Sequence, residues 1–196
     1  MKQNKLIIGI TGLVGSGKSL VSKYLETLGF YYINVDAVYH EMLISDISLK
    51  KQLIEAFGTK ILNNDMIDRN VLRNIVLSND NNFELLNKIT HPKIYIKVSE
   101  LIKSIDGNIV IEAAILFQTG LNKLCTHVWY IDSQKEIIIE RIKQRNNLEE
   151  RIIRSLLKKQ EYIEQTKFYC DVIIKNDNSI ENLYAQINLT LMKEAE

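Results

Sequence analysis

The spacing of apolar residues along this chain changes period several times. Leu6 to Ile10 is a short apolar run broken by Gly9 and followed at once by Thr11-Gly12, a pattern that predicts a buried parallel strand entering a turn. From Lys18 to Leu28 the residues Leu20, Val21, Tyr24, Leu25 and Leu28 fall on one helical stripe, and Gly29 sits where a helix ends. Phe30 to Val35 predicts a second strand, with Asp36 at its carboxyl end.

Between about Ala37 and Ile105 the pattern becomes helical with polar breaks. Leu49 to Phe57 is closed by Gly58, Arg69 to Leu77 is opened by Asp68, and Pro92 to Ile105 begins on a proline suited to a first helical turn, where its missing N–H costs nothing. Strand signals return at Asn108 to Glu112 and at His127 to Asp132. Ser133-Gln134-Lys135-Glu136 reads as a capping box opening a helix through Arg145. Asp171 to Lys175 is a fifth strand, and Ser179 onward is a closing helix striped by Ile180, Leu183, Ile187 and Leu191. Strands separated by helices imply right-handed parallel crossovers and a sheet covered on both faces.

Composition narrows the class. With 46% hydrophobic and 25% charged residues the chain has the balance of a soluble globular protein, and 196 residues suit one domain with appendages rather than two independent ones. A net charge of +1 gives no general electrostatic reason to expect nucleic acid or an anionic membrane as partner. Cys125 and Cys170 have no metal-motif or disulfide-framework spacing and read as small buried apolar side chains. Met1 to Lys5 lead into an apolar run too short for a signal peptide or a membrane span, so the expected location is the cytoplasm.

The strongest chemical signal follows the first strand. Gly12-Leu13-Val14-Gly15-Ser16-Gly17-Lys18-Ser19 satisfies G-x-x-x-x-G-K-[ST] in full, between a predicted strand and a predicted helix. The glycines let the backbone curl so that successive N–H groups point at phosphate oxygens, and the following helix adds the positive end of its dipole. Lys18 supplies a mobile charge for the β- and γ-phosphates, and Ser19 a hydroxyl for Mg2+. The alternative is a glycine-rich turn with a solvated lysine. A guanine-reading N-K-x-D motif is not matched by Asn87-Lys88-Ile89-Thr90, which favours ATP over GTP. Arg141, Arg145, Arg151 and Arg154 lie where a small kinase carries lid arginines.

Two acids stand at carboxyl ends of predicted strands, where ligands of parallel α/β sheets bind. Asp36 reads either as a catalytic acid facing the phosphates or as the N-cap of a helix beginning at Ala37. Glu112 reads as a site acid or as one half of a structural ion pair. His91, before Pro92, is either ligand-facing or a local hydrogen-bonding group, and His40 and His127 have no companions at metal-ligand spacing.

In their order these residues resemble the dephospho-CoA kinases nearly end to end. Gly9-Ile10-Thr11-Gly12 through Ser19 is similar to the family's opening, with Leu20 where the family has threonine. Leu28-Gly29-Phe30 leading to Val35-Asp36-Ala37 resembles the "LG…DAD" segment, which implies that Asp36 is the catalytic acid. Phe57-Gly58, Ile67-Asp68-Arg69 with Leu72, and His91-Pro92 resemble a middle region that in the family binds the coenzyme. Ile115-Leu116-Phe117 with Gly120-Leu121 is similar to the "PLLFE.GL" loop, although Ala114 and Gln118 replace its proline and glutamate. Arg141, Arg145 and Gln160 match lid positions, with Asn146-Asn147 in place of the usual aspartate, and Asp171-Val172-Ile173 with Asn176 resembles the strand near the adenine pocket.

The expected architecture is therefore a three-layer α/β P-loop NTPase fold with a parallel five-stranded sheet. One kinase domain is expected, with core 1–39 and 107–196, a helical acceptor-binding insertion near 40–106 and a helical lid near 146–162. The resemblance implies ATP-dependent phosphorylation of the ribose 3′-hydroxyl of dephospho-CoA, with Mg2+. Asp36, Lys18, Arg141 and Arg145 are the expected catalytic set, and Arg141 and Arg145, four residues apart, are expected to reach one anion from one helical face. Gly12, Gly15, Ser16, Gly17, Lys18, Ser19, Leu20 and Asn176 are expected to hold the nucleotide. Asp36, Arg69, His91, Pro92, Glu112 and Leu116 are expected at the acceptor, and Ser19 at the metal. Another small-molecule or nucleotide kinase, or a non-catalytic nucleotide-binding regulator motivated by Ala114 and Gln118, are the alternatives.

Overall fold

The computed structural model describes residues 5–194. Met1 to Asn4, part of the leading stretch read above as free of a targeting signal, lie outside the described residues. In chain order the elements begin with β1 (Ile7–Thr11), α1 (Lys18–Thr27) and β2 (Tyr31–Asn34). There follow α2 (Val35–Ser45), α3 (Ile47–Phe57), β3 (Leu62–Asn63), β4 (Met66–Ile67), α4 (Arg69–Leu77) and α5 (Asp80–Ser104). The chain continues with β5 (Ile109–Glu112), β6 (His127–Asp132), α6 (Lys135–Asn146), α7 (Glu150–Lys158), α8 (Glu161–Gln165), β7 (Val172–Lys175) and α9 (Ile180–Glu194). These pack as two compact units: residues up to Ile33 together with those from Ile105, and residues Asn34–Ser104.

The first unit is built on a five-stranded sheet in the order β2-β5-β1-β6-β7. β1 is central and pairs in parallel with β5, Ile8 opposite Val110, and with β6, Ile10 opposite Trp129. β6 pairs in parallel with β7, Tyr130 opposite Ile173. Because strand side chains alternate between faces, β6 serves two cores. Trp129 and Ile131 pack with Ile8, Ile10, Val21 and Leu25 of α1, and Leu183 and Ile187 of α9. Tyr130 packs on the other face with Leu13, Ile138 and Ile142 of α6, and Ile153 of α7. Sheet and two helical layers give the three-layer arrangement expected above. Trp129, Ile8, Ile10 and Leu25 have no exposed surface, each contributing about 1.5–3 kcal/mol or more of hydrophobic stabilisation. Tyr24 and Tyr184 stack at 3.7 Å between α1 and α9.

The second unit is helical, with one small antiparallel pair, β3 and β4. Its helices begin on side-chain caps: Asn34 Oδ1 accepts the Ala37 N–H, Asp46 the Leu49 N–H, and Asp68 the N–H groups of Asn70 and Val71. The first of these corrects an expectation. Helix α2 starts at Val35, so Asn34 occupies the cap and Asp36 lies within the first turn. A second correction concerns Pro92, which stands inside the 25-residue α5 and not at its start. An interior proline costs about 3 kcal/mol or more. Here the helix is continued by tertiary packing of its buried Thr90, Ile94 and Val98, in contact with α2, α3 and α4, and the Thr90 hydroxyl donates back to the Leu86 carbonyl. Local propensity marked the break, and burial overrode it.

Candidate functional site

The loop from Gly12 to Ser19 leaves the carboxyl end of β1 and runs directly into α1, whose N-terminus adds the positive end of a helix dipole to the loop. Gly17 is the entry to α1 at φ +103°, a left-handed conformation, and a side chain there would drive its Cβ into Asn176 Nδ2. Glycine is therefore required twice over, by backbone and by space. Lys18 folds back on the loop, its Nζ donating to the carbonyls of Gly12 at 3.0 Å and Leu13 at 2.9 Å. A flexible ammonium held by two neutral carbonyls is ready to exchange them for phosphate oxygens, which are stronger acceptors. Leu20, one residue into α1 from Ser19, packs against the core.

Glu112 ends β5, the strand beside β1, and is buried. Its Oε1 accepts from the Ser19 hydroxyl at 2.6 Å and its Oε2 from the Tyr32 hydroxyl. The hydroxyl of Ser19 and the carboxylate of Glu112 thus form a pair of hard oxygen donors at the mouth of the loop, where the residue Ser19 itself is exposed. Of the two readings offered for Glu112 the structural ion pair gives way: its partners are hydroxyls of the loop and of β2, which places it with Ser19.

Behind the loop lies a polar knot assembled from distant segments. Asn176, just beyond β7 and buried, donates its Nδ2 to the Ser16 carbonyl at 2.8 Å. Arg141 Nη2 donates to the Asn176 carbonyl at 2.9 Å and lies 3.4 Å from Asn176 Oδ1, while its Nη1 is 3.3 Å from Ser133 Oγ and 3.5 Å from the Ser16 carbonyl. The Ser133 hydroxyl sits 3.0 Å from both the Asn176 carbonyl and Asp177 Oδ1, and Asp177 Oδ1 also accepts the Gln134 N–H at 2.7 Å. This corrects the capping box: α6 begins after Gln134 with no side-chain cap, because the Ser133 hydroxyl is engaged by Asn176 and Asp177. It also separates the two arginines. Arg141 is tied beneath the loop, whereas Arg145 is exposed and its Nε donates to the neighbouring Asn146. They do not converge on one point in this structure, since Arg141 finds four acceptors on its inner side and Arg145 finds none there.

Gln160, between α7 and α8, reaches across to accept the Val14 N–H with its Oε1 at 2.9 Å. Leu116 corrects a further expectation. It has no exposed surface, and Gly9 of β1 has no room for a side chain beside its Cδ2, so it belongs to the core and offers no binding surface.

Asp36 is exposed, two residues past the end of β2. In the helical unit a cavity of about 540 Å³ is lined on its polar side by Tyr39, His40, Arg69 and Arg73 and on its apolar side by residues that include Phe83 and Leu86. Burial pushes the Tyr39 phenol up to about 12, an effect opposed by the nearby Arg69 guanidinium. Arg69 was expected from sequence; Arg73, one turn on along α4, was not, although the four-residue spacing marks it as sharing that face. His91 and Pro92 lie in the middle of α5, with Pro92 exposed. Tyr32 and Asp177 carried no local signal of a site role, and Ser133 carried only that of a helix cap. Among the described residues no group of three or more His, Cys, Asp or Glu side chains is placed to hold a metal, and no helix is long and apolar enough to cross a membrane.

Against known proteins, the dephospho-CoA kinase family matches residues 6–182. The dephospho-CoA kinase of Fusobacterium nucleatum subsp. nucleatum is 37% identical over 188 residues, covering 93% of this chain and 95% of the relative. A solved dephospho-CoA kinase from Campylobacter jejuni is similar with TM-score 0.72 and 28% identity, covering 96% of each chain. A shikimate kinase from Bacteroides thetaiotaomicron, at TM-score 0.60 and 12% identity over 96% of this chain and 98% of that one, shares the fold alone.

Proposed function

The chain belongs to the dephospho-CoA kinase family, and from that membership we infer that it transfers the γ-phosphate of ATP to the ribose 3′-hydroxyl of dephospho-CoA, giving coenzyme A and ADP. The observation that carries this reading is the family match across residues 6–182, which takes in the phosphate loop, Asp36, the helical unit and the strand leading to Asn176.

Phosphoryl transfer needs alignment and charge neutralisation more than covalent chemistry by the protein. We assign those tasks as follows. The amides of Gly15, Ser16, Gly17 and Lys18 and the dipole of α1 cradle the β-phosphate, and the Lys18 ammonium swings from the Gly12 and Leu13 carbonyls to the β- and γ-oxygens. The 3′-oxygen attacks the γ-phosphorus as the bond to the β,γ-bridging oxygen breaks. Asp36 orients the attacking hydroxyl and takes up its proton. Arg145 neutralises charge when the lid near 146–162 closes, while Arg141 and Asn176 hold the loop's shape from behind.

Magnesium fits the oxygens at the loop's mouth. This ion keeps several waters and takes one or two protein oxygens together with substrate phosphates, which suits a serine hydroxyl backed by a single carboxylate. Ser19 and Glu112 would hold it, and it supplies neutralisation of the charge shared by the β- and γ-phosphates. For the acceptor, we assign the cavity of the helical unit, where Arg69, Arg73 and His40 suit anionic groups and Phe83 and Leu86 suit an apolar chain. His91 and Pro92 belong to the same unit and are assigned to the same acceptor. The cytoplasm is the location we propose.

Release of ADP with dephospho-CoA, shikimate and nucleoside monophosphates compared side by side tests the assignment. A kcat/KM for dephospho-CoA about a thousandfold or more above the others is expected, since a site built to hydrogen-bond its substrate rejects analogues by factors of this order or larger. Equal or faster turnover of another acceptor overturns it.

A further inference from the structure

We propose that Tyr32 is a positioning residue for the metal site: its hydroxyl locks the Glu112 carboxylate so that Glu112 in turn aims the Ser19 hydroxyl. The inference rests on the assignment of magnesium to Ser19 and Glu112.

The geometry is a relay across three adjacent strands. β2 lies at the sheet edge beside β5, and β5 lies beside β1, from whose loop Ser19 projects. Tyr32 on β2 donates to Glu112 Oε2, and Ser19 donates to Glu112 Oε1 at 2.6 Å. A serine hydroxyl has one proton and two lone pairs, so whichever group takes the proton decides where the lone pairs point. With the proton directed at Glu112, the lone pairs are left for a cation, which Ser19 would then hold. That service requires a carboxylate with a fixed plane.

A glutamate carboxylate does not fix its own plane. Its last torsion is broad and nearly two-fold, so a carboxylate held by a single hydrogen bond can turn about it. Two donors on two different oxygens remove that freedom. Tyr32 is suited to be the second donor because its ring packs against the buried core that contains Ile8, Val110 and Phe30, which leaves the hydroxyl little room to follow a moving partner. Since Glu112 is 7% exposed, water is a poor substitute for the tyrosine. Second-layer hydrogen bonds of this kind commonly change metal affinity by about ten- to a hundredfold when removed.

Tyr32→Phe removes the hydroxyl and keeps the ring. The readouts are Mn2+ binding to the enzyme–ADP complex, followed by the loss of the free-ion electron paramagnetic resonance signal, and ADP binding in EDTA by calorimetry. Tyr32→Phe is expected to weaken Mn2+ binding about tenfold while metal-free ADP binding stays within about twofold, which also reports a folded loop. Ser19→Ala is expected to weaken Mn2+ at least as much. If Ser19→Ala leaves Mn2+ binding unchanged, the magnesium assignment itself fails. If Ser19→Ala weakens it and Tyr32→Phe does not, the assignment stands and the role of Tyr32 is overturned. Glu112→Ala, which leaves no acceptor for the tyrosine, completes a double-mutant cycle: in that background Tyr32→Phe has no further effect if Tyr32 acts through Glu112, and an effect that simply adds overturns the relay.

Discussion

Replacing Arg141 with alanine removes the guanidinium that ties α6 to the back of the phosphate loop. Its one short contact is the 2.9 Å bond to the Asn176 carbonyl, and the others lie at 3.3–3.5 Å, where hydrogen bonds contribute little. Neither carbonyl need be orphaned by the change: Ser16 O keeps Asn176 Nδ2, and the single Ser133 proton, within reach of Asp177 Oδ1 as well, can turn to Asn176 O. The loss is therefore that of one charge-assisted bond, about 1.5–3 kcal/mol, without the added penalty of a buried unpaired group. For a chain of this length each kcal/mol shifts Tm by about 2–4 °C, so Arg141→Ala should melt about 3–12 °C below the parent. Arg145 is exposed and bonded only to the adjacent Asn146, and Arg145→Ala should shift Tm by less than about 2 °C. Kinetics should separate them the other way. Arg145→Ala is expected to lower the single-turnover rate by about a hundredfold or more while ATP binding to the open enzyme is kept, because the role proposed for it belongs to the transition state. Arg141→Ala is expected to weaken ATP binding as well, through the loop's shape. Differential scanning fluorimetry, equilibrium ATP binding and single-turnover rates decide the matter. A parental Tm for Arg141→Ala would refute the anchoring, and unchanged single-turnover rates in both variants would remove both from the mechanism.

Lys18→Met should lower turnover by at least about a hundredfold with Tm nearly unchanged, since a loop lysine bonded to two carbonyls is not part of the core; near-normal turnover in the coupled ADP assay would contradict its phosphate role. Asp36→Asn should abolish most turnover and leave Tm within about 2 °C, whereas Asn34→Ala, which removes the actual cap of α2, should cost about 1 kcal/mol of stability; the reverse pattern in thermal melts and rates would count against the division. Burial pushes the thiols of Cys125 and Cys170 up to about 12, each raised further by Asp171, so at pH 8 both are held in the protonated form. Because a raised thiol pKa keeps the unreactive protonated form, labelling by a disulfide reagent should be slow at pH 8 and accelerate as pH rises, and rapid labelling of the folded protein at pH 8 would refute this.

Much of the site was readable in the linear chain wherever its chemistry is contiguous. Gly12 to Ser19 lie within eight positions, so the residues that curl the backbone and present the charge are neighbours by necessity, and the flanking apolar run and stripe place them between β1 and α1. The same holds for Asp68 and Gly58, which start or stop helices through bonds to residues two to four positions away. Where an element's fate depended on what it packs against, the linear reading failed. Pro92 lies inside α5 because Ile94 and Val98 are buried, and Ser133 leaves its helix uncapped because Asn176 and Asp177 stand beside it.

The local alternation of strand and helix, the phosphate loop and the order of family-like segments were thus legible residue by residue, because each is written by bonds and periodicities only a few positions long. The contacts that turn those parts into a site are not of that kind. Ser19 and Glu112 are 93 residues apart, Tyr32 and Glu112 80, Val14 and Gln160 146, and Ser16 and Asn176 160. Gln160 is brought by the turn between α7 and α8, and the other pairs exist because parallel strands carry distant segments to one end of the same sheet, where a buried carboxylate or amide must find its partners or forfeit the hydrogen bonds it left in water.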